Sequence, residues 1–192
     1  MTRDAVLELF RTSGALLEGH FRLTSGLHSP GYMQCALVLQ HPDHAESLGR
    51  AIGERSRALR PTVVLSPALG GVVIGQEVAR ALRVRAIFAE RQDGALTLRR
   101  GFAVDRDDRV LVVEDVLTTG GSTRETMELA AKAGAHVVGA ASVVDRSGGA
   151  VRFDVPFMAL LDYALPTYQG DACPLCARGL AVTKPGSRPT NV

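Results

Sequence analysis

Residues 110–123, VLVVEDVLTTGGST, restrict what this chain can fold into more than any other stretch. Arg109 and the apolar run Val110, Leu111, Val112 and Val113 read as a strand covered on both faces. That strand delivers Glu114 and Asp115 to its carboxyl end, where ligands bind in open α/β sheets. Thr118-Thr-Gly-Gly-Ser-Thr123 follows and runs straight into a helical pattern. Glycines let the backbone approach a ligand, while exposed N–H groups and the helix dipole favour a phosphate. The hydroxyls of Thr118, Thr119, Ser122 and Thr123 add further hydrogen bonds.

A purely structural reading has Ser122 capping the helix that follows. Capping explains the Gly and Ser residues but not two consecutive carboxylates after a strand. An unpaired buried charge is costly, so the acidic pair is expected to face a polar ligand. No GxxxxGK[ST] occurs, and Gly70, Gly71 and Gly75 do not make GxGxxG. Both the Walker A loop and the dinucleotide fingerprint are therefore excluded.

The rest of the chain repeats the strand and helix alternation. Residues 2–13 read as an amphipathic helix with Val6, Leu7, Leu9 and Phe10 on one side. A loop-rich stretch with turns and short strands follows. Asp43 is a plausible N-cap for a helix to about residue 59, ended by Pro61. Strands are expected over 62–66, 85–89, 109–113, 136–144 and 157–161, with residues 95–98 in a hairpin. Helices are expected over 72–82, opened by Gly70 and Gly71, and over 122–132, stopped by Gly134. The pattern predicts a mostly parallel twisted sheet flanked by helices, in one domain over residues 1–184. Residues 185–192 read as a disordered tail.

The 192 residues suit one domain. No apolar run approaches the roughly 20 residues that cross a bilayer. The N-terminus carries Asp4 and Glu8 and lacks a signal peptide's apolar centre, so a cytoplasmic location is expected. A net charge of +2 gives no global field for nucleic acid or membrane. Of the 22 basic residues only Lys132 and Lys184 are lysines, so an anion site must rely mostly on guanidinium groups. Cys35, Cys173 and Cys176 are too few for a disulfide framework. Cys173-Pro-Leu-Cys176 has the spacing of half a zinc site, but with no second CxxC or HxxxH a reduced, local structural role is expected. His20, His28, His41 and His44 read as scattered, with His28 a turn residue.

VLVVEDVLTTGGST resembles the phosphoribosyl pyrophosphate (PRPP) signature of type I phosphoribosyltransferases. Three further stretches resemble the orotate phosphoribosyltransferase family: Phe21-Arg-Leu-Thr-Ser-Gly-Leu-His-Ser29 with Tyr32, Ser66-Pro-Ala-Leu-Gly-Gly71, and Val144-Asp-Arg-Ser-Gly-Gly149. The resemblance implies a type I phosphoribosyltransferase fold with a small N-terminal hood at about residues 18–40. It implies that Glu114 and Asp115 hold the ribose hydroxyls, that Thr118, Thr119, Gly120, Gly121, Ser122 and Thr123 hold the 5-phosphate, and that Val116 and Leu117 between them belong to the PRPP site. Leu69 and Gly70 would meet the pyrophosphate. Ser25, Gly26, Tyr32, Thr118 and Arg146 would form the orotate pocket, Arg146 gripping the carboxylate.

The same resemblance implies Mg²⁺ held mainly through PRPP, with no direct protein ligand, and a homodimer whose mobile loop covers the partner's site. Departures from the family stand at Thr24 and Gly70, where it usually carries Lys, and in residues 90–100, which hold neither Lys nor His. Arg91, Arg99 and Arg100 are nominated as the pyrophosphate clamp in their place, Arg91 joining Glu114 and Asp115 as a catalytic residue. Two rivals remain at this level: transfer to a purine or another base, and a non-catalytic regulator that senses PRPP.

Overall fold

A computed structural model describes residues 1–23 and 25–184; Thr24 and the expected tail at 185–192 lie outside the described residues. Helix α1 (Arg3–Thr12) opens with Thr2, whose hydroxyl accepts from the Ala5 N–H at 3.3 Å, and buries Val6, Leu7 and Phe10. Strands β1 (Leu16–Arg22) and β2 (His28–Met33) form an antiparallel hairpin. Helix α2 (Cys35–Leu39) and helix α3 (Pro42–Ser56) follow, with a 3-10 turn at Arg57–Leu59. The α/β part comprises β3 (Val63–Pro67), α4 (Gly70–Leu82), β4 (Arg85–Gln92), β5 (Ala95–Leu98), β6 (Arg109–Leu117), α5 (Gly121–Lys132), β7 (His136–Asp145) and β8 (Phe157–Asp162). A 3-10 turn at Gly170–Ala172 and the short helix α6 (Pro174–Ala177) close the described chain.

The main sheet has the order β5-β4-β3-β6-β7-β8, parallel throughout except for β5. Side chains alternate across it, so each central strand feeds two cores. Val64, Leu111 and Val113 pack under α3 and α4, whereas Val63, Leu65, Val110 and Val112 pack under α5. This double coverage is why β3 and β6 are apolar without interruption. Replacing fully buried Leu111 with Ala would cost about 2–5 kcal/mol.

Several local expectations shift. The N-cap of α3 is His41, not Asp43; Pro42 takes the first helical position, where its fixed φ and missing N–H suit it, and Asp43 sits in the first turn. Gly120, at φ 75°, occupies the N-cap of α5 in place of Ser122. Strand β6 runs through the acidic pair to Leu117, because β7 keeps pairing with it as far as Leu117 opposite Asp145. The histidines are not scattered. Antiparallel pairing brings His20 Nε2 within 2.8 Å of His28 Nδ1, and the returning C-terminal segment sets Cys173 and Cys176 beside them. Among the described residues no helix is long and apolar enough to cross a membrane.

Candidate active site

The site lies where the two central strands part. β3 and β6 pair in parallel up to Leu65 opposite Val112 and no further. Beyond that point β3 feeds α4 on one face of the sheet and β6 feeds α5 on the other, so a crevice opens at the carboxyl ends. Two connected cavities fill it, of about 240 Å³ and 1430 Å³, sharing Leu69, Gly70, Asp115 and Ser122. Glu114 and Arg91 line the smaller cavity. Val116, Thr118, Thr119, Ser25, Tyr32 and Arg146 line the larger one.

The acidic pair is electrostatically primed. Burial pushes the carboxyl of Glu114 above its ordinary range, opposed by the hydroxyl donated from buried Thr123. Burial likewise raises Asp115, opposed by backbone N–H groups. Neither carboxylate forms an ion pair among the described residues. The loop between β6 and α5 turns at Gly120, whose left-handed backbone suits glycine and where a Cβ would stand 2.8 Å from Val151. Gly121 then opens α5, while Leu117 turns inward to the core.

Arg146 enters the larger cavity from the loop after β7. Burial lowers its pKa, opposed by nearby Tyr32 and Cys35. Its Nε is buried without a hydrogen-bond partner. Burial raises the phenol of Tyr32, partly offset by Arg146. Gly26 lies at the hairpin turn with φ 86° and lines neither cavity. Of the nominated clamp, Arg91 is held at the cavity by Glu125 Oε2 at 2.7 Å. Arg100 is tied to Glu90 by bonds of 2.7 and 2.9 Å, and neither it nor Arg99 lines the cavities.

A phosphoribosyl transferase domain model matches residues 36–160. Over 188 residues the chain is 54% identical to the orotate phosphoribosyltransferase of Pelotomaculum thermopropionicum, covering 98% of this chain and 99% of that protein. This chain belongs to the orotate phosphoribosyltransferase family. A second family member, from Carboxydothermus hydrogenoformans, is 54% identical over 183 residues, covering 94% of this chain and 96% of its own. The solved orotate phosphoribosyltransferase of Mycobacterium tuberculosis H37Rv, in complex with Fe(III) dicitrate, is 27% identical with a TM-score of 0.70, covering 83% of this chain and 95% of that one. The expected type I phosphoribosyltransferase fold is the one observed.

Against that family frame, the glycine at position 70 has a local cause. A Cβ there would lie 2.6 Å from Asp115 Oδ1, so glycine lets the turn after β3 approach the acidic pair with the Asp115 carboxylate in place. The orotate phosphoribosyltransferase resemblance did not flag Lys184, which lines the larger cavity from the C-terminal segment. Its one sequence signal was rarity, as one of two lysines. Its placement depends on backbone pairing of Thr183 with His20 and Arg22, which no local pattern encodes. Thr24, the other position lacking the family's lysine, is outside the described residues.

Proposed function

We propose that this chain transfers the 5-phosphoribosyl group of PRPP to orotate, giving orotidine 5-monophosphate and pyrophosphate, a step of pyrimidine nucleotide synthesis. Arg146 carries the assignment: a half-buried guanidinium with an unpartnered buried Nε, facing the cavity that Asp115 and Thr118 also line. Leaving such a donor unpaired costs about 1–3 kcal/mol or more for a charged group. A planar carboxylate satisfies it with two parallel hydrogen bonds. Orotate supplies that carboxylate and a purine does not.

In this reading Glu114 and Asp115 accept from the ribose hydroxyls, and residues 118–123 bind the 5-phosphate at the start of α5, while Leu117 packs into the core. Leu69 and Gly70 approach the pyrophosphate with backbone groups. Arg91, with Arg99 and Arg100 when the loop closes, neutralises charge growing on the departing pyrophosphate as C1 becomes oxocarbenium-like. Ser25, Tyr32 and Thr118 complete the orotate pocket around Arg146, while Gly26 serves the hairpin turn outside the cavity. Positioning and electrostatics supply the acceleration, without a covalent intermediate. Cys35, buried with its thiol pushed well up, is no nucleophile.

Mg²⁺, which prefers oxygen donors and often binds through substrate phosphates, would be held mainly through PRPP beside two carboxylates that form no ion pair among the described residues. When bound, it would screen the pyrophosphate charge. The functional unit is a homodimer, in the cytoplasm, with no nucleic acid or membrane partner; Arg91 and Leu96 of the 90–100 segment line the chain's own cavity. The test is to mix the chain with PRPP, Mg²⁺ and each base in turn and follow pyrophosphate release. Release with orotate alone supports the assignment. Release with adenine or hypoxanthine would reassign it, and PRPP binding without turnover on any base would leave a regulator.

A further inference from the structure

Four donor atoms converge on the side of the hairpin that meets the C-terminal segment. His20 Nε2, His28 Nδ1 and the Sγ atoms of Cys173 and Cys176 all lie within 4.8 Å of one another. They arrive from β1, from β2 and from the start of α6, so His20 and Cys173 stand 153 positions apart in the chain. His20 and Cys173 are buried, Cys176 reaches the surface, and both thiols are unbridged. None of the four lines the substrate cavities.

The spacings match one ion. Zinc bonds of about 2.0–2.1 Å to nitrogen and about 2.3 Å to sulfur, arranged tetrahedrally, put nitrogen about 3.5 Å from sulfur. The observed separations are 3.6 Å from Cys173 to His20, 3.7 Å from Cys176 to His20 and 3.3 Å from Cys176 to His28. The two nitrogens, 2.8 Å apart, would need to open by about half an ångström. The outer contact is also right for a ligand. His20 Nδ1 lies 2.8 Å from the Leu180 carbonyl, which only accepts, so Nδ1 carries the proton and the Nε2 lone pair faces the cluster.

We propose that His20, His28, Cys173 and Cys176 form a structural Zn²⁺ site that clamps the C-terminal segment to the N-terminal hairpin. Two thiolates with two imidazoles select zinc over harder cations, and four protein ligands leave no open position for catalysis. The segment needs such a staple. Of the described residues 166–184 only Cys173 and Leu175 are buried, too little apolar surface to hold it down. With the staple in place, backbone bonds flank the site: Tyr168 pairs with His28 at 2.8 and 2.9 Å, and Thr183 with His20 and Arg22 at 2.8 Å each. The next residue, Lys184, then enters the substrate cavity. The site stands whatever base the enzyme uses.

Its test is metal analysis of the full chain purified without chelator or added metal. One zinc per chain is expected, and replacement with Co²⁺ should give the visible absorption of a tetrahedral thiolate centre. Cys176→Ser, at the exposed ligand, should lower zinc affinity by at least about tenfold. Stripping the metal should speed hydrogen exchange at the Thr183 and Tyr168 amides. A reduced wild-type chain that takes up no zinc from an equimolar solution would overturn the site, as would a metal-free Cys173–Cys176 disulfide in protein purified without reductant. Zinc bound with unchanged exchange at Thr183 would overturn the clamp.

Discussion

Gly70 and the carboxylate of Asp115 are packed so closely that a Cβ on residue 70 would stand 2.6 Å from Oδ1. The obstacle is the far end of a side chain, so Gly70→Ala should fold, with Asp115 rotated away. The expected result is a rise of about tenfold in KM for PRPP, equivalent to about 1.4 kcal/mol, with KM for orotate little changed. Steady-state kinetics decide it, and an unchanged PRPP constant would remove Asp115 from ribose binding in this geometry.

Arg146→Ala should raise KM for orotate roughly 10–150-fold, the equivalent of about 1.5–3 kcal/mol for hydrogen bonds to a charged group. PRPP affinity should hardly move. Arg146→Lys should recover little, because an ammonium cannot present the paired donors. Equal orotate constants in wild type and mutant would take Arg146 out of the pocket.

The raised carboxyls of Glu114 and Asp115 have a consequence for stability. A folded chain that binds protons there more tightly than the unfolded chain is stabilised by these groups at low pH. That contribution is lost as pH rises through their folded values. At neutral pH Asp115→Asn should therefore raise the melting temperature of the ligand-free chain, by about 2–4 °C per kcal/mol relieved, while PRPP binding collapses. Wild-type PRPP affinity should fall on acidification before ordinary carboxylates titrate. Thermal scans and titration calorimetry across pH check both, and a destabilised Asp115→Asn chain would contradict the argument.

Arg91 and Arg100 should separate in kinetics. Arg91 lines the cavity, while Arg100 is engaged by Glu90 and rests 5.9 Å from the Phe88 ring centroid. Arg91→Ala should cut kcat by roughly 10²–10³, the range for losing one preorganised donor. Arg100→Ala should cost less than about tenfold, and single-turnover rates of the two variants check the difference.

Lys184→Ala should lower kcat/KM by about tenfold, since it removes the one lysine that lines either cavity. Lys132→Ala, on the exposed side of α5 near Glu128, is the control and should change nothing.

Much of this protein is a local property of its sequence. The apolar runs at 62–66 and 109–113 place buried parallel strands, because only a strand covered on both faces tolerates such a run. The acidic pair and the Thr/Gly/Ser loop announce the site's chemistry, because strand, turn and helix start are contiguous in the chain. Element ends were less legible. β6 continues past Val113 because β7 goes on pairing with it, and α3 starts at Pro42 because proline suits the first helical position better than Asp43 suits the cap.

What only the tertiary structure decided are the meetings between distant segments. Hairpin register and a returning C-terminus bring His20, His28, Cys173 and Cys176 together and carry Lys184 into the cavity. Close approach of the start of α4 to the β6 carboxylate of Asp115 leaves no space for a side chain at position 70 unless Asp115 moves. Half-metal spacing and scattered histidines carry no information about one another until the backbone folds. Convergence across some 150 positions is set by pairing and burial, which no local propensity encodes.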